Sequence, residues 1–150
     1  MADEETSKVV HYFATMHDIN RLSHALVQRV YDREGIDVST EQWKTLGIIY
    51  DNAPIAPIEI SRKTHKNKGA VARVLTGLEK RGLIHRIHGE KQNTYNVDLT
   101  DKGHEILTIA YELGNNVLTD VMADISDKDL EKTLDVLTRT LSSITRDKFQ

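Results

Sequence analysis

The sequence predicts a mainly α fold interrupted by one small β-hairpin, and three observations carry that prediction. Apolar residues recur with helical spacing through most of the 150-residue chain. The period drops to two only beyond Gly82, where Leu83, His85 and Ile87 alternate with Ile84, Arg86 and His88, and Tyr95, Val97 and Leu99 alternate with Asn96 and Asp98. Cations gather just before and through this switch: Arg62, Lys63, Lys66, Lys68, Arg73, Lys80, Arg81, Arg86 and Lys91 stand against only Glu79 and Glu90. A net charge of -3 therefore hides a basic block in an otherwise acidic chain, the signature of a localised polyanion footprint.

The N-terminus, Met1-Ala2-Asp3-Glu4-Glu5, is acidic and no apolar run follows it, so neither a signal peptide nor a membrane span is expected and the cytoplasm is the default. From about Lys8 to Tyr31, Val9, Phe13, Met16, Ile19, Leu22, Leu26 and Val30 recur near helical spacing without Gly or Pro, which predicts a long first helix. His11, His17 and His24 lie on it at separations that do not form the i, i+4 pair a helical metal site favours, so no metal site is expected. Ser39-Thr40-Glu41-Gln42 reads as a capping box, and Trp43, Leu46, Gly47 and Tyr50 follow at i, i+3, i+4, i+7, giving a second helix to about Asn52 with Trp43 as a core anchor.

Pro54 and Pro57 break the chain, and Pro57 suits the first position of a short third helix through Glu59, Ile60 and Lys63. A turn at Lys66-Asn67 leads into a fourth helix, with Asn67 as N-cap and Gly82 as the C-terminal stop. Val71, Val74, Leu75 and Leu78 form its inward stripe, while Gly69, Ala72, Arg73, Thr76 and Lys80 fall on the opposite face. Small residues between long cations let that face approach a polyanion closely. Gly77 costs about 1 kcal/mol against Ala in a helix interior, which predicts a close approach there.

Short helix, tight turn and basic amphipathic helix followed by a hairpin is a winged helix-turn-helix. The hairpin tip, from Gly89 to Asn93, offers Lys91, Gln92 and Asn93 as donors to phosphate or minor-groove acceptors. Thr100 caps a fifth helix with the stripe Ile106, Ile109, Ala110, Leu113, Val117 and Val121. Ser126 caps a sixth, in which Leu130, Leu134, Leu137, Leu141 and Ile144 form a narrow seam suited to one facing helix.

Other chemistry is excluded by what the chain lacks. Without cysteine there is no disulfide, thiolate metal site or thiol sensor. There is no Gly-rich phosphate loop and no His-Glu-x-x-His, so neither an enzyme nor a cofactor is expected. A second reading of the basic face is a winged-helix protein-interaction or structural module that meets an acidic partner through it, without specific DNA binding.

The chain resembles the MarR family of winged helix-turn-helix transcriptional regulators. The resemblance runs in order through Thr40-Glu41-Gln42-Trp43, Ile58-Glu59-Ile60-Ser61, Asn67 to Leu75, Leu78-Glu79-Lys80-Arg81-Gly82-Leu83-Ile84-His85-Arg86 and Val97-Asp98-Leu99-Thr100-Asp101-Lys102-Gly103. It implies a homodimer held by a terminal helix in 1–38 and further helices in 101–150, around a DNA-binding domain in 39–100. It also implies a double-stranded DNA partner, met by Lys66, Asn67, Lys68, Gly69, Ala72, Arg73, Thr76 and Arg86 around the recognition helix and by Lys91, Gln92 and Asn93 at the wing. Release of a repressor from a near-palindromic operator by a small aromatic or phenolic ligand is the further implication, with Tyr12, Met16, His17 and Trp43 as candidate lining of an interhelical crevice. Two departures stand out: Ala72 replaces the hydroxyl residue often found before the recognition-helix Arg, and the wing tip carries Lys91 where the family usually has Arg.

Overall fold

The computed structural model describes residues 4–89 and 94–146. Among them are six helices and one two-stranded antiparallel sheet: α1 (Glu4–Arg33), α2 (Thr40–Asn52), α3 (Pro57–Thr64), α4 (Lys68–Lys80), β1 (Ile84–His88), β2 (Tyr95–Leu99), α5 (Asp101–Val121) and α6 (Asp127–Thr145). The expected winged helix-turn-helix order is present. The chain divides into two compact units, Met1–Asn115 and Asn116–Gln150.

Local chemistry sets the helix boundaries where the sequence places them. Ser39 accepts from the Gln42 N–H at 3.1 Å while Gln42 Oε1 accepts from the Ser39 N–H, a complete capping box. Pro57 opens α3 at its first turn. Asn67 Oδ1 accepts from the Ala70 N–H at 2.8 Å and starts α4. Thr100 Oγ1 accepts from the Gly103 N–H at 3.0 Å, and Ser126 Oγ from the Asp129 N–H at 3.2 Å. At the far end of α4, Gly82 takes φ +69°, so its N–H reaches the Glu79 carbonyl and the Leu83 N–H reaches the Leu78 carbonyl, which turns the chain directly into the wing.

In the first unit the core lies between α2, α3, α4 and the wing. Leu46 and Ile49 from α2, Ile60 from α3, Val71, Leu75 and Leu78 from α4, and Leu83, Ile84, Val97 and Leu99 from the wing are all buried together. The inward stripe of α4 is thus as the spacing predicts, with Val74 half-buried at its edge. In α2 the buried set is Thr45, Leu46 and Ile49, so the apolar stripe is rotated from the expected one and Tyr50 stands exposed. One element escapes a period-based reading altogether: Ile55, between the two prolines, bonds Val97 in both directions at 3.1 and 2.9 Å and adds an isolated bridge to the hairpin edge. A single bridging residue has no period to detect.

Two glycines do packing work. A Cβ on Gly103 would lie 2.0 Å from the Leu83 carbonyl oxygen, so only glycine lets the first turn of α5 sit against the base of the wing. Gly114 leaves room for Tyr31, whose hydroxyl donates to the Ala110 carbonyl at 2.9 Å and ties the end of α1 to α5. Gly77 is different. A Cβ there would meet Gln42 Nε2 at 3.6 Å, an ordinary contact, so the predicted close approach is mild.

Upstream of Val27 and Tyr31, α1 carries exposed Val9, Val10, Phe13, Ile19 and Leu22. In the second unit, α6 buries none of its residues.

Candidate nucleic-acid interface

The helix-turn-helix is closed by an unusual residue. His65 adopts φ 53° and ψ 28°, left-handed, and with its N–H and that of Lys66 bonds back to the carbonyls of Arg62 and Ser61. The turn therefore begins one residue before the expected Lys66-Asn67. Asn67 then launches α4 with its inward face fixed by the core, which forces Lys68, Gly69, Ala72, Arg73, Thr76 and Lys80 to the outside, all exposed.

The outward face differs from its surroundings in how its charges are partnered. Among the described residues, Lys68, Arg73 and Lys80 have no ion pair. Around them most cations are engaged: Lys66 pairs with Glu41, Arg62 with Glu59, and Arg81 with Asp37 at 2.9 Å and with Gln42 Oε1 at 2.8 Å. Arg86, on β1, pairs with Glu79 at 2.8 Å and lays its guanidinium 4.4 Å from the centre of the Tyr95 ring. Of the sequence-derived candidates, then, Gly69, Ala72, Arg73 and Thr76 share one open face with Lys68, Lys66 and Arg86 flank it in ion pairs, and Asn67 is occupied as a cap. Lys91, Gln92 and Asn93 lie outside the described residues.

A further cationic contact was not apparent from sequence. Lys44 Nζ lies 2.6 Å from His24 Nε2, joining α1 to α2. Burial, then the neighbouring Lys44, lowers the His24 pKa below the usual 6.5; burial, then Lys66, lowers that of Lys44. The contact is a hydrogen bond when the ammonium donates to a neutral imidazole.

A cleft of about 420 Å³ lies between α2 and α5, lined by Trp43, Gly47, Tyr50, Asp51, His104, Leu107, Thr108 and Tyr111. Trp43 and Tyr111 stack with ring centres 6.5 Å apart, and Tyr50 meets His104 edge-on at 5.7 Å. Trp43 Nε1 is buried and has no hydrogen-bond partner. Of the four candidate ligand residues only Trp43 is here. Tyr12, Met16 and His17 sit on the N-terminal half of α1, whose burial begins at Val27; at about 1.5 Å per residue, His17 stands about 15 Å upstream of that point. The sequence does hold the missed signal, since residues 104, 107, 108 and 111 recur at i, i+3, i+4, i+7, but the neighbouring aliphatic stripe of α5 hides it.

A short helix, a left-handed turn, an outward cationic helix and a hairpin on one core define a winged helix-turn-helix protein. Residues 38–91 match the model of the MarR family. It is 25% identical over 108 residues to the uncharacterized HTH-type transcriptional regulator YdgJ of Bacillus subtilis (strain 168), a match covering 71% of this chain and 66% of that protein. A second relative, an uncharacterized HTH-type transcriptional regulator of Bacillus cereus, is 32% identical over 88 residues, which is 59% of this chain and 54% of its own length. The chain thus spans less than two thirds of either. Its fold is similar to that of Staphylococcus aureus MarR in complex with salicylate and kanamycin (TM-score 0.82, 22% identity, covering 96% of this chain and 95% of that one). It is also similar to a mutant Escherichia coli MarR complexed with operator DNA (TM-score 0.81, 20% identity, covering 93% and 99%).

Proposed function

We propose that the chain is a DNA-binding transcriptional regulator that works as a homodimer, with α4 as the recognition helix in the major groove and the wing reaching toward the flanking minor groove. The observation that carries this reading is the outward face of α4, where exposed Arg73 and Lys68 stand without an ion-pair partner among the described residues and small side chains keep the backbone approachable. The match of residues 38–91 to the MarR family model and the operator complex of a structural neighbour support it. The domain division that goes with it assigns 39–100 to DNA and the flanking 1–38 and 101–150 to dimerisation. Exposed apolar side chains on α1, and on α6 Leu134, Leu141 and Ile144, are what a second copy would cover, since monomeric proteins seldom leave contiguous apolar surface open.

The regulator acts as a repressor released by a small aromatic or phenolic ligand bound in the α2–α5 cleft. The cleft is walled by aromatic rings, with His104 able to face an anionic group, and its size suits a single-ring acid such as the salicylate named in the structural neighbour.

Fluorescence anisotropy against duplexes enriched from a random pool tests the DNA reading. A recovered sequence bound at least about a thousandfold more tightly than unrelated DNA is expected. Uniform binding to all duplexes would favour the protein-interaction alternative. Trp43 is the sole tryptophan, so its emission reports the cleft directly. Salicylate should change that emission saturably, raise the melting temperature with concentration and weaken the recovered duplex.

A further inference from the structure

The outward face of α4 limits which base edges it can read. In the major groove, guanine is read by Arg or Lys at O6 and N7, adenine by Asn or Gln, cytosine by a carboxylate, and thymine through its methyl by Ala or Thr. The only carboxylate on α4, Glu79, is held by Arg86 at 2.8 Å. The only carboxamide at its start, Asn67, is held by its cap bond to Ala70 at 2.8 Å. That leaves Arg73, Lys68 and Lys80 as cationic donors and Ala72 and Thr76 as methyl carriers, all exposed, with the Thr76 hydroxyl able to bond several base edges without selecting one. Ala72 adjoins Arg73 in sequence, and Gly69 lies one turn before both. Gly69 carries no side chain to hold the helix off a partner, which is what a single methyl at Ala72 needs to touch a base.

We infer that each half-site of the operator presents a guanine to Arg73 beside a thymine whose methyl packs on Ala72, and that α4 makes no direct contact that selects adenine or cytosine. The inference rests on the DNA-binding reading above and specifies what that same face recognises. It also gives Ala72 a positive role: a hydroxyl there could bond several edges, whereas a methyl favours thymine.

The test uses the full-length protein and the duplex recovered from the random pool, with single-atom changes in the DNA. Replacing the key guanine by 7-deazaguanine removes N7 and should weaken wild-type binding about fivefold to 150-fold. Arg73→Ala should bind the two duplexes alike. Replacing the adjacent thymine by uracil removes one methyl and should cost wild type about fourfold, a difference that Ala72→Gly should erase. Each comparison is made within one protein variant, so a change in folding cancels. A recovered duplex that tolerates every 7-deazaguanine and uracil substitution overturns this inference and leaves the regulator reading intact. Failure to recover any preferred duplex overturns both.

Discussion

The open face of α4 and the framework around it use the same residue types in opposite ways. In the framework, Arg62, Lys66, Arg81 and Arg86 each meet a carboxylate, and Arg81 and Arg86 also meet Gln42 or the Tyr95 ring. On the face, Lys68, Arg73 and Lys80 have no ion pair among the described residues. A formal charge count treats the two sets as equal, yet only the second is free to displace counterions from DNA without first giving up a partner. Exposed pairs are individually worth about 0 to 1 kcal/mol, so the framework contacts mainly orient side chains. Arg86, for example, holds the end of α4 to β1.

The contrast can be broken from either side. Arg73→Ala has the largest expected effect: loss of about 1 to 3 kcal/mol from specific binding with little change in non-specific affinity, read by anisotropy on matched and scrambled duplexes. Equal loss on both would make Arg73 a phosphate contact instead. Glu79→Gln should move Arg86 from the framework set to the free set, tightening non-specific binding and steepening the plot of log K against log salt by about one; an unaltered slope would show that Tyr95 alone detains Arg86. Lys91→Ala should weaken all duplexes alike and flatten that plot by about one if the wing tip reaches a phosphate.

The smallest effect concerns Lys44 and His24, where cation meets imidazole. Because the folded-state pKa of His24 lies below its unfolded value, folding favours the neutral ring. Its contribution to stability is complete above the unfolded value of 6.5 and fades as pH falls through the lower folded value. Melting temperature should therefore drop on acidification through this range, and His24→Gln, which retains an acceptor for Lys44, should flatten that part of the profile. A profile identical to wild type would remove the contact from the account.

Much of the helix-turn-helix was legible because its signals are local. Caps at Ser39, Asn67, Thr100 and Ser126, the proline at α3 and the glycine after α4 each act within a few residues, and the inward stripe of α4 follows directly from its period. What escaped the sequence was tertiary. Ile55 pairs with a strand more than forty positions away, Gly103 is required by a carbonyl on another element, and the pairing of Arg86 with Glu79 cannot be told from an open arginine without coordinates. The α2–α5 cleft is hidden in the sequence for a related reason: its rings come from separate elements, Trp43 and Tyr50 from α2, His104 and Tyr111 from α5.

Gly103 carries one more consequence. With α5 seated on the Leu83 carbonyl, Thr100 bonded to Leu83 and Gly82, and Lys102 Nζ donating to the Arg81 carbonyl at 3.0 Å, the start of α5 is fastened to the end of α4 at several points. These contacts leave no slack segment between the end of α4 and the start of α5. His104, Leu107, Thr108 and Tyr111 lie along α5 just beyond them, so a tilt imposed on that helix would be delivered to α4 as rotation rather than absorbed in a loop.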